Sequence, residues 1–220
     1  MTIKEIHVIE DRSETTPWDK GFFKLRRLQV QNQYTDDTQS RVYACDVLER
    51  RGVDAVAVLL WYKKDEQVHV FFRECIRPAV YLRKARPNGI TDDREYPVLI
   101  ELIAGIIEPQ DIGELGIKQR AAIEAEEEAG FSVDPADVVI LGQGSFDAPG
   151  IMAEKVFFAA VQCDPEKRGA PKTDGSPFEE RGKVFSLSLT EAFDWIERGD
   201  LCDLKSEVGL RRLEKVISNY

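Results

Sequence analysis

The stretch Glu101-Leu-Ile-Ala104-Gly105-Ile-Ile-Glu108-Pro-Gln-Asp111-Ile-Gly113-Glu114-Leu-Gly-Ile-Lys118-Gln-Arg120-Ala-Ala-Ile123-Glu124-Ala-Glu126-Glu127-Glu128-Ala129-Gly130-Phe131 carries eight carboxylates against two basic side chains. That is six of the ten net negative charges of the chain. The apolar run 98–104 reads as a strand, 105–113 with Pro109 as a loop, and 114–129 as a helix. Gly130 stands where a left-handed residue ends helices. On such a helix Glu124, Glu127 and Glu128 are spaced i, i+3 and i+4 and share one face. Like charges at that spacing repel unless a cation sits among them. A hard divalent ion is the natural counter-charge, and Mg²⁺ completes its shell with water and substrate phosphates. The same run also fits a solvated acidic helix face.

Outward from this segment, strands and helices interleave. Upstream, 22–31 and 40–47 mix β-branched, aromatic and charged residues and read as antiparallel hairpin strands. The nearly continuous apolar run 54–62 and the run 67–73, joined by a short charged turn, read as a buried hairpin. Residues 82–97, rich in Arg, Pro, Gly and Asp, read as a loop. Downstream, 138–141, 155–162 and 184–189 read as strands. The polar stretch 164–182 holds three prolines, and loops of this length tend to be functional. Thr190 is expected to cap a helix running to 198, and an amphipathic helix is expected over 206–218. The pattern predicts an α+β chain with a mixed central sheet.

The 220 residues (25.0 kDa) suggest one domain with an elaboration. A net charge of −10 and a pI near 4.9 disfavour a nucleic-acid partner. No run has the length of a membrane helix, and the acidic N-terminus lacks the apolar region of a secretory signal, so no membrane partner and a cytoplasmic location are expected. The four cysteines form no CxxC pair and are read as reduced thiols. The only two histidines, His7 and His69, are too far apart for an HExxH zinc site and argue against a histidine-based triad. Neither GxxxxGK[ST] nor GxSxG occurs.

The segment Gly105 to Phe131 resembles the Nudix box, G-x5-E-x7-R-E-U-x-E-E-x-G-U, where U is aliphatic or aromatic. Glu49-Arg50-Arg51-Gly52, Phe72-Arg-Glu-Cys-Ile-Arg77-Pro-Ala-Val-Tyr81 and Leu102-Ile-Ala104-Gly105 resemble the ADP-ribose and nucleoside diphosphate sugar pyrophosphatase branch, UDP-sugar enzymes included. The resemblance covers most of 20–215. It implies an α/β/α sandwich with an N-terminal antiparallel β region over 1–48, used in homodimers, and a hydrolase domain over 49–220. It implies Mg²⁺, or Mn²⁺, as cofactor and a nucleotide sugar as substrate, ADP-ribose or a UDP- or GDP-sugar. Glu124 and Glu128 match the principal metal ligands of the box, the Ala104 carbonyl a further ligand, and Glu127 the remaining catalytic glutamate. Arg51, Arg77, Glu101 and Pro149 match substrate-binding positions. Glu180 first, and Glu179 second, match the loop glutamate that activates water. Phe22 and Phe23 read first as core residues and second as base-stacking rings.

Two departures stand out. Ile123 replaces the box arginine, with Arg120 one turn before Glu124. The loop after Gly105 is four residues longer than the box allows. These departures keep a second reading open, a Nudix-fold module that binds a nucleotide sugar without cleaving it.

Overall fold

The computed structural model describes residues 3–15, 21–85, 90, 92–172 and 182–217. The first three strands, β1 (Ile3–Asp11), β2 (Lys24–Tyr34) and β3 (Tyr43–Glu49), form an antiparallel sheet of their own in the order β1-β2-β3. The residues of β1 were not themselves read as a strand, because acids and aliphatics are mixed along it.

β4 (Ala55–Lys64) and β5 (Gln67–Cys75) form the expected hairpin. Its two-residue turn, Asp65-Glu66, has φ of 50° and 63°, the left-handed pair that matches strand twist. After β5 comes a one-turn helix, α1 (Pro78–Tyr81), and then a 3₁₀ turn over Leu82–Ala85 at the start of the segment read as a loop. The expected strand 98–104 is two strands. β6 (Leu99–Glu101) pairs with β5 and β7 (Ile103–Ile106) pairs with β4, so the chain changes partner at Leu102 and Gly105 belongs to a strand. Next follow α2 (Gly113–Ala129), β8 (Val139–Ile140), β9 (Ser145–Phe146), β10 (Lys155–Gln162), β11 (Val184–Ser188), α3 (Leu189–Arg198) and α4 (Leu204–Ile217). The main sheet runs β11-β5-β4-β10-β8, with β6, β7 and β9 paired onto β5, β4 and β10. β10 is parallel to β4, while β5 and β7 meet β4 antiparallel, so the sheet is mixed as expected.

β4 is apolar at nearly every position because both its faces are covered. Ala57 and Leu59 point to one side, with Leu102, Phe158, Leu201, Leu210 and Leu213 under α3 and α4. Val56, Val58 and Leu60 point to the other, against Ala121, Ala125, Ala129 and Phe131 of α2 and its exit. Each fully buried Leu, Val or Phe contributes about 1.5–3 kcal/mol. The layers are helix, sheet, helix. The stripe α2 presents to the sheet is alanine at 121, 125 and 129 after Ile117 in its first turns, so the helix lies close to the strands. Its charged flank is thereby brought to the end of β7.

Candidate active site

At 100° per residue, Arg120, Glu124, Glu127 and Glu128 occupy one flank of α2 within about a third of a turn. All four line a cleft of about 520 Å³. Beside them the lining includes Ala104, Gly105 and Ile106 of β7 and the following Glu108. Further parts come from Arg50 after β3, Arg77 after β5, Lys205 of α4, Asp147 and Glu154 around the 146–154 loop, and Phe22. The three acids read from helical spacing are therefore together in one cavity.

Strand β7 approaches this flank very closely. A Cβ at position 105 would overlap the Glu124 carboxylate, so the glycine makes room for that side chain beside the backbone. The Ala104 N–H donates to Glu128 Oε2 at 3.0 Å. On an extended strand a residue's carbonyl leaves on the same side as its N–H, so the Ala104 carbonyl also leaves β7 away from β4. The other Glu128 oxygen is paired with Arg73 of β5, which is 2% exposed beneath the cleft. Glu124 Oε1 lies 3.8 Å from Arg120 Nη1.

These donors, carboxylates and a strand carbonyl, are all hard oxygens, the set that suits Mg²⁺ or Mn²⁺. The glycine at 105 keeps the space beside them open. The residues thus fit such an ion chemically. Among the described residues no three acidic, histidine or cysteine side chains are already drawn into a metal-ready group. Glu124 and Glu128 rest instead on arginines.

The cationic wall is built around Glu101, which is 1% exposed and outside the cleft lining. Arg77 donates to it twice, from Nε at 2.6 Å and Nη2 at 2.9 Å. Lys205 pairs with the same carboxylate, and with Asp203 at 2.9 Å. Burial pushes the Glu101 carboxyl up, but Arg77 and Lys205 outweigh it and hold it below the usual carboxylate range. The hydrogen bonds to Glu101 push the Arg77 guanidinium up. Glu101, expected as a substrate contact, is therefore placed to aim two cations, both of which line the cleft.

Other expected positions are spread differently. Arg51 is exposed and does not line the cleft; its neighbour Arg50 does. The Arg50 Nη2 is 3.1 Å from Glu154, while its buried Nη1 has no hydrogen-bond partner among the described residues. Pro149 is exposed and outside the lining, whereas Asp147 from the same loop is in it. Phe22 and Phe23 are 64% and 43% exposed, which corrects the core reading, and Phe22 edges the cleft. Glu179 and Glu180 lie outside the described residues. Lys205 and Arg50 were missed. Lys205 comes from a helix about a hundred residues downstream of its partner, and Arg50 is distinguished from Arg51 only by burial, so neither leaves a local signal.

No family model matches the chain. The chain is 27% identical over 211 residues to the ADP-ribose pyrophosphatase of Haemophilus influenzae, which spans 94% of this chain and 86% of that protein. It is 27% identical over 196 residues to the ADP-ribose pyrophosphatase of Escherichia coli K12, 89% and 83% of the two chains. The structure superimposes on that of an ADP compounds hydrolase with a TM-score of 0.66 at 15% identity, over 100% of this chain and 97% of the other. The fold is the Nudix fold that the sequence resemblance implied.

Proposed function

We propose that this chain, a Nudix-fold relative of the ADP-ribose pyrophosphatases, hydrolyses the diphosphate bond of a nucleoside diphosphate sugar. ADP-ribose is the first candidate, with UDP- and GDP-sugars next, and the products are a nucleoside monophosphate and a sugar phosphate. The observation that carries this reading is a single cleft lined both by the carboxylate flank of α2 and by Arg77, Lys205 and Arg50. Relatives named ADP-ribose pyrophosphatase along most of the chain support it.

In this reading Glu124, Glu128 and the Ala104 carbonyl hold Mg²⁺, with Glu127 beside them. The ion, when bound, neutralises the diphosphate and lowers the pKa of a water. Arg77 and Lys205, aimed by Glu101, take the non-bridging phosphate oxygens, and the planar guanidinium of Arg77 suits bidentate contact. The buried Nη1 of Arg50 supplies another donor at the cleft wall. Phe22 offers a ring face to the base. Glu180, or Glu179, accepts the proton of the attacking water.

The test is product analysis of ADP-ribose incubated with Mg²⁺. The wild type should release AMP and ribose phosphate, and Glu124→Gln should lose at least a hundredfold in kcat. Nucleotide binding without any product from the wild type would favour the non-cleaving module, the reading that Ile123 motivates.

The N-terminal β region is proposed as a dimerisation element and the location as cytoplasmic. Val8, Ile9 and Val42 of that region are 55%, 52% and 44% exposed, apolar side chains available to a second subunit. Light scattering should give a mass near twice 25.0 kDa, and a monomer at micromolar concentration would reject the dimer.

A further inference from the structure

We propose that Asp111 and Arg120 form a strut that positions Glu124, so that the lengthened loop and the isoleucine at 123 are two halves of one change. The inference rests on the reading of Glu124 as a metal ligand.

The loop after β7 closes on itself. The Asp111 N–H donates to the Glu108 carbonyl at 2.9 Å, and the Glu108 N–H donates back to Asp111 Oδ2 at 2.9 Å. The same Oδ2 accepts from Arg120 Nε at 2.8 Å. One carboxylate oxygen is thus fixed by a backbone donor from the loop and a guanidinium from the helix. The Asp111 and Arg120 side chains are only 10% and 14% exposed, so the pair is shielded from solvent competition. Packing supports the same contact. Gly116 lies against the Asp111 backbone so closely that a Cβ there would overlap it. The Gly116 N–H reaches the Ile112 carbonyl at 3.1 Å. The inserted residues are therefore locked onto the first turns of α2.

With Nε committed to Asp111, the guanidinium turns Nη1 towards Glu124 at 3.8 Å. That distance is a charge contact rather than a hydrogen bond. It orients the carboxylate without occupying its lone pairs. Spacing explains why the cation sits at 120. Residues four apart on a helix are neighbours, whereas adjacent residues point about 100° apart. Ile123 is 39% exposed and lines a separate shallow groove with Gln119, Ala122 and Glu126. Asp111 reaches Arg120 only because the loop is long enough to fold back over Gly116. A shorter loop would leave Arg120 without its brace, and the brace makes a cation at 123 unnecessary.

Arg120 is a positioning residue, and partners of ligating carboxylates change metal affinity by about 10–100-fold when removed. The experiment is an Mn²⁺ titration followed by electron paramagnetic resonance, on wild type, Arg120→Ala, Arg120→Lys and Asp111→Asn, with circular dichroism melts as the fold control. Arg120→Ala should weaken Mn²⁺ binding at least tenfold. Arg120→Lys, a point charge unable to span both acids, should recover part of that loss. Asp111→Asn, which keeps the cation but slackens its brace, should weaken binding by less than Arg120→Ala. At saturating Mn²⁺ the KM of Arg120→Lys for ADP-ribose, with the charge of the lining kept, should stay within twofold of wild type while kcat falls. A folded Arg120→Ala that binds Mn²⁺ as tightly as wild type, or tighter, overturns the proposal and makes Arg120 a competing counter-ion. Should Arg120→Ala fail to fold, unchanged affinity in Asp111→Asn overturns it equally. Wild type that binds no Mn²⁺ rejects the metal reading itself, and this inference with it.

Discussion

Glu101 shows how a residue can govern a site it does not line. Its carboxylate is surrounded by Arg77 and Lys205, and both of those side chains reach the cleft. Replacing it by glutamine leaves the hydrogen-bonding shape but removes the charge that gathers two cations. The expected cost is about 1–3 kcal/mol, in the range of hydrogen bonds to charged groups, with the Arg77 share reduced because its side chain is 46% exposed. The pH dependence has a definite sign. The folded pKa of Glu101 lies below its unfolded value, so its contribution is complete above about pH 4.3 and is lost as pH falls through the folded value. Chemical denaturation between pH 3 and 7 should show the wild type losing its advantage over Glu101→Gln only at the acid end. A difference between the two that stays constant over that range would contradict the assignment. That Glu124, Glu127 and Glu128 share a face was legible from their i, i+3 and i+4 spacing, but the spacing fitted a solvated face equally well, and only the resemblance singled them out. What the spacing could not convey was their partners. Arg73 under Glu128 and Lys205 behind Glu101 come from β5 and α4, so their proximity exists only once the sheet is assembled.

At the scale of elements, sequence pattern located most of the regular structure and misjudged its ends. β10 spans Lys155–Gln162 as read, and α2 starts at Gly113, one residue before its expected start, and ends against Gly130, whose φ is 77°. Strand β4 was recognisable because a sheet covered on both faces needs apolar residues in both registers. The break at Leu102 was hidden, since a continuous apolar run says nothing about a change of pairing partner. The start of α3 was misassigned for a different reason. Ser188 and Thr190 are both good caps, and the choice depends on where β11 releases the chain. The structure selects Ser188, whose hydroxyl accepts from the Glu191 N–H at 3.2 Å and donates to Glu191 Oε2 at 2.7 Å, while the Glu191 carboxylate accepts from the Ser188 N–H at 2.9 Å. This capping box satisfies donors that the first turn would otherwise leave open. Ser188→Ala should cost about 1 kcal/mol and lower Tm by roughly 2–4 °C, whereas Thr190→Ala should change it much less. A larger shift for Thr190→Ala than for Ser188→Ala would place the cap at 190 after all. Neither change should alter the KM for ADP-ribose, because α3 contributes nothing to the cleft lining.

For the whole molecule, charge is the property with the furthest consequence. The chain carries a net charge of −10, and its substrate in the proposed reaction is a dianion. The cleft does not locally reverse that sign. Its lining contains four cations, Arg50, Arg77, Arg120 and Lys205, against six carboxylates, Glu108, Glu124, Glu127, Glu128, Asp147 and Glu154. Several of these cancel in pairs, Arg50 with Glu154 and Arg120 with Glu124 among them. The cations proposed to take the phosphates, Arg77 and Lys205, are themselves shared with Glu101. The protein alone is therefore a poor trap for a diphosphate, and one divalent ion at the α2 flank would bring the lining close to neutrality. A surplus of two like charges at cleft distances works against a dianion by about 1–4 kcal/mol at the effective dielectric of a protein surface. Affinity for ADP-ribose should accordingly fall at least tenfold when the metal is stripped with EDTA. Calcium, a hard ion that binds oxygen donors without demanding octahedral geometry, should restore much of the lost affinity. Glu124→Gln and Glu127→Gln each remove one negative charge, so their affinity in EDTA should rise relative to wild type while their turnover with Mg²⁺ falls. Calorimetry with ADP-ribose in EDTA, Ca²⁺ and Mg²⁺ separates these outcomes. Equal affinity in all three would mean that the arginines and Lys205 hold the diphosphate unaided, and the carboxylate flank of α2 would then need another purpose.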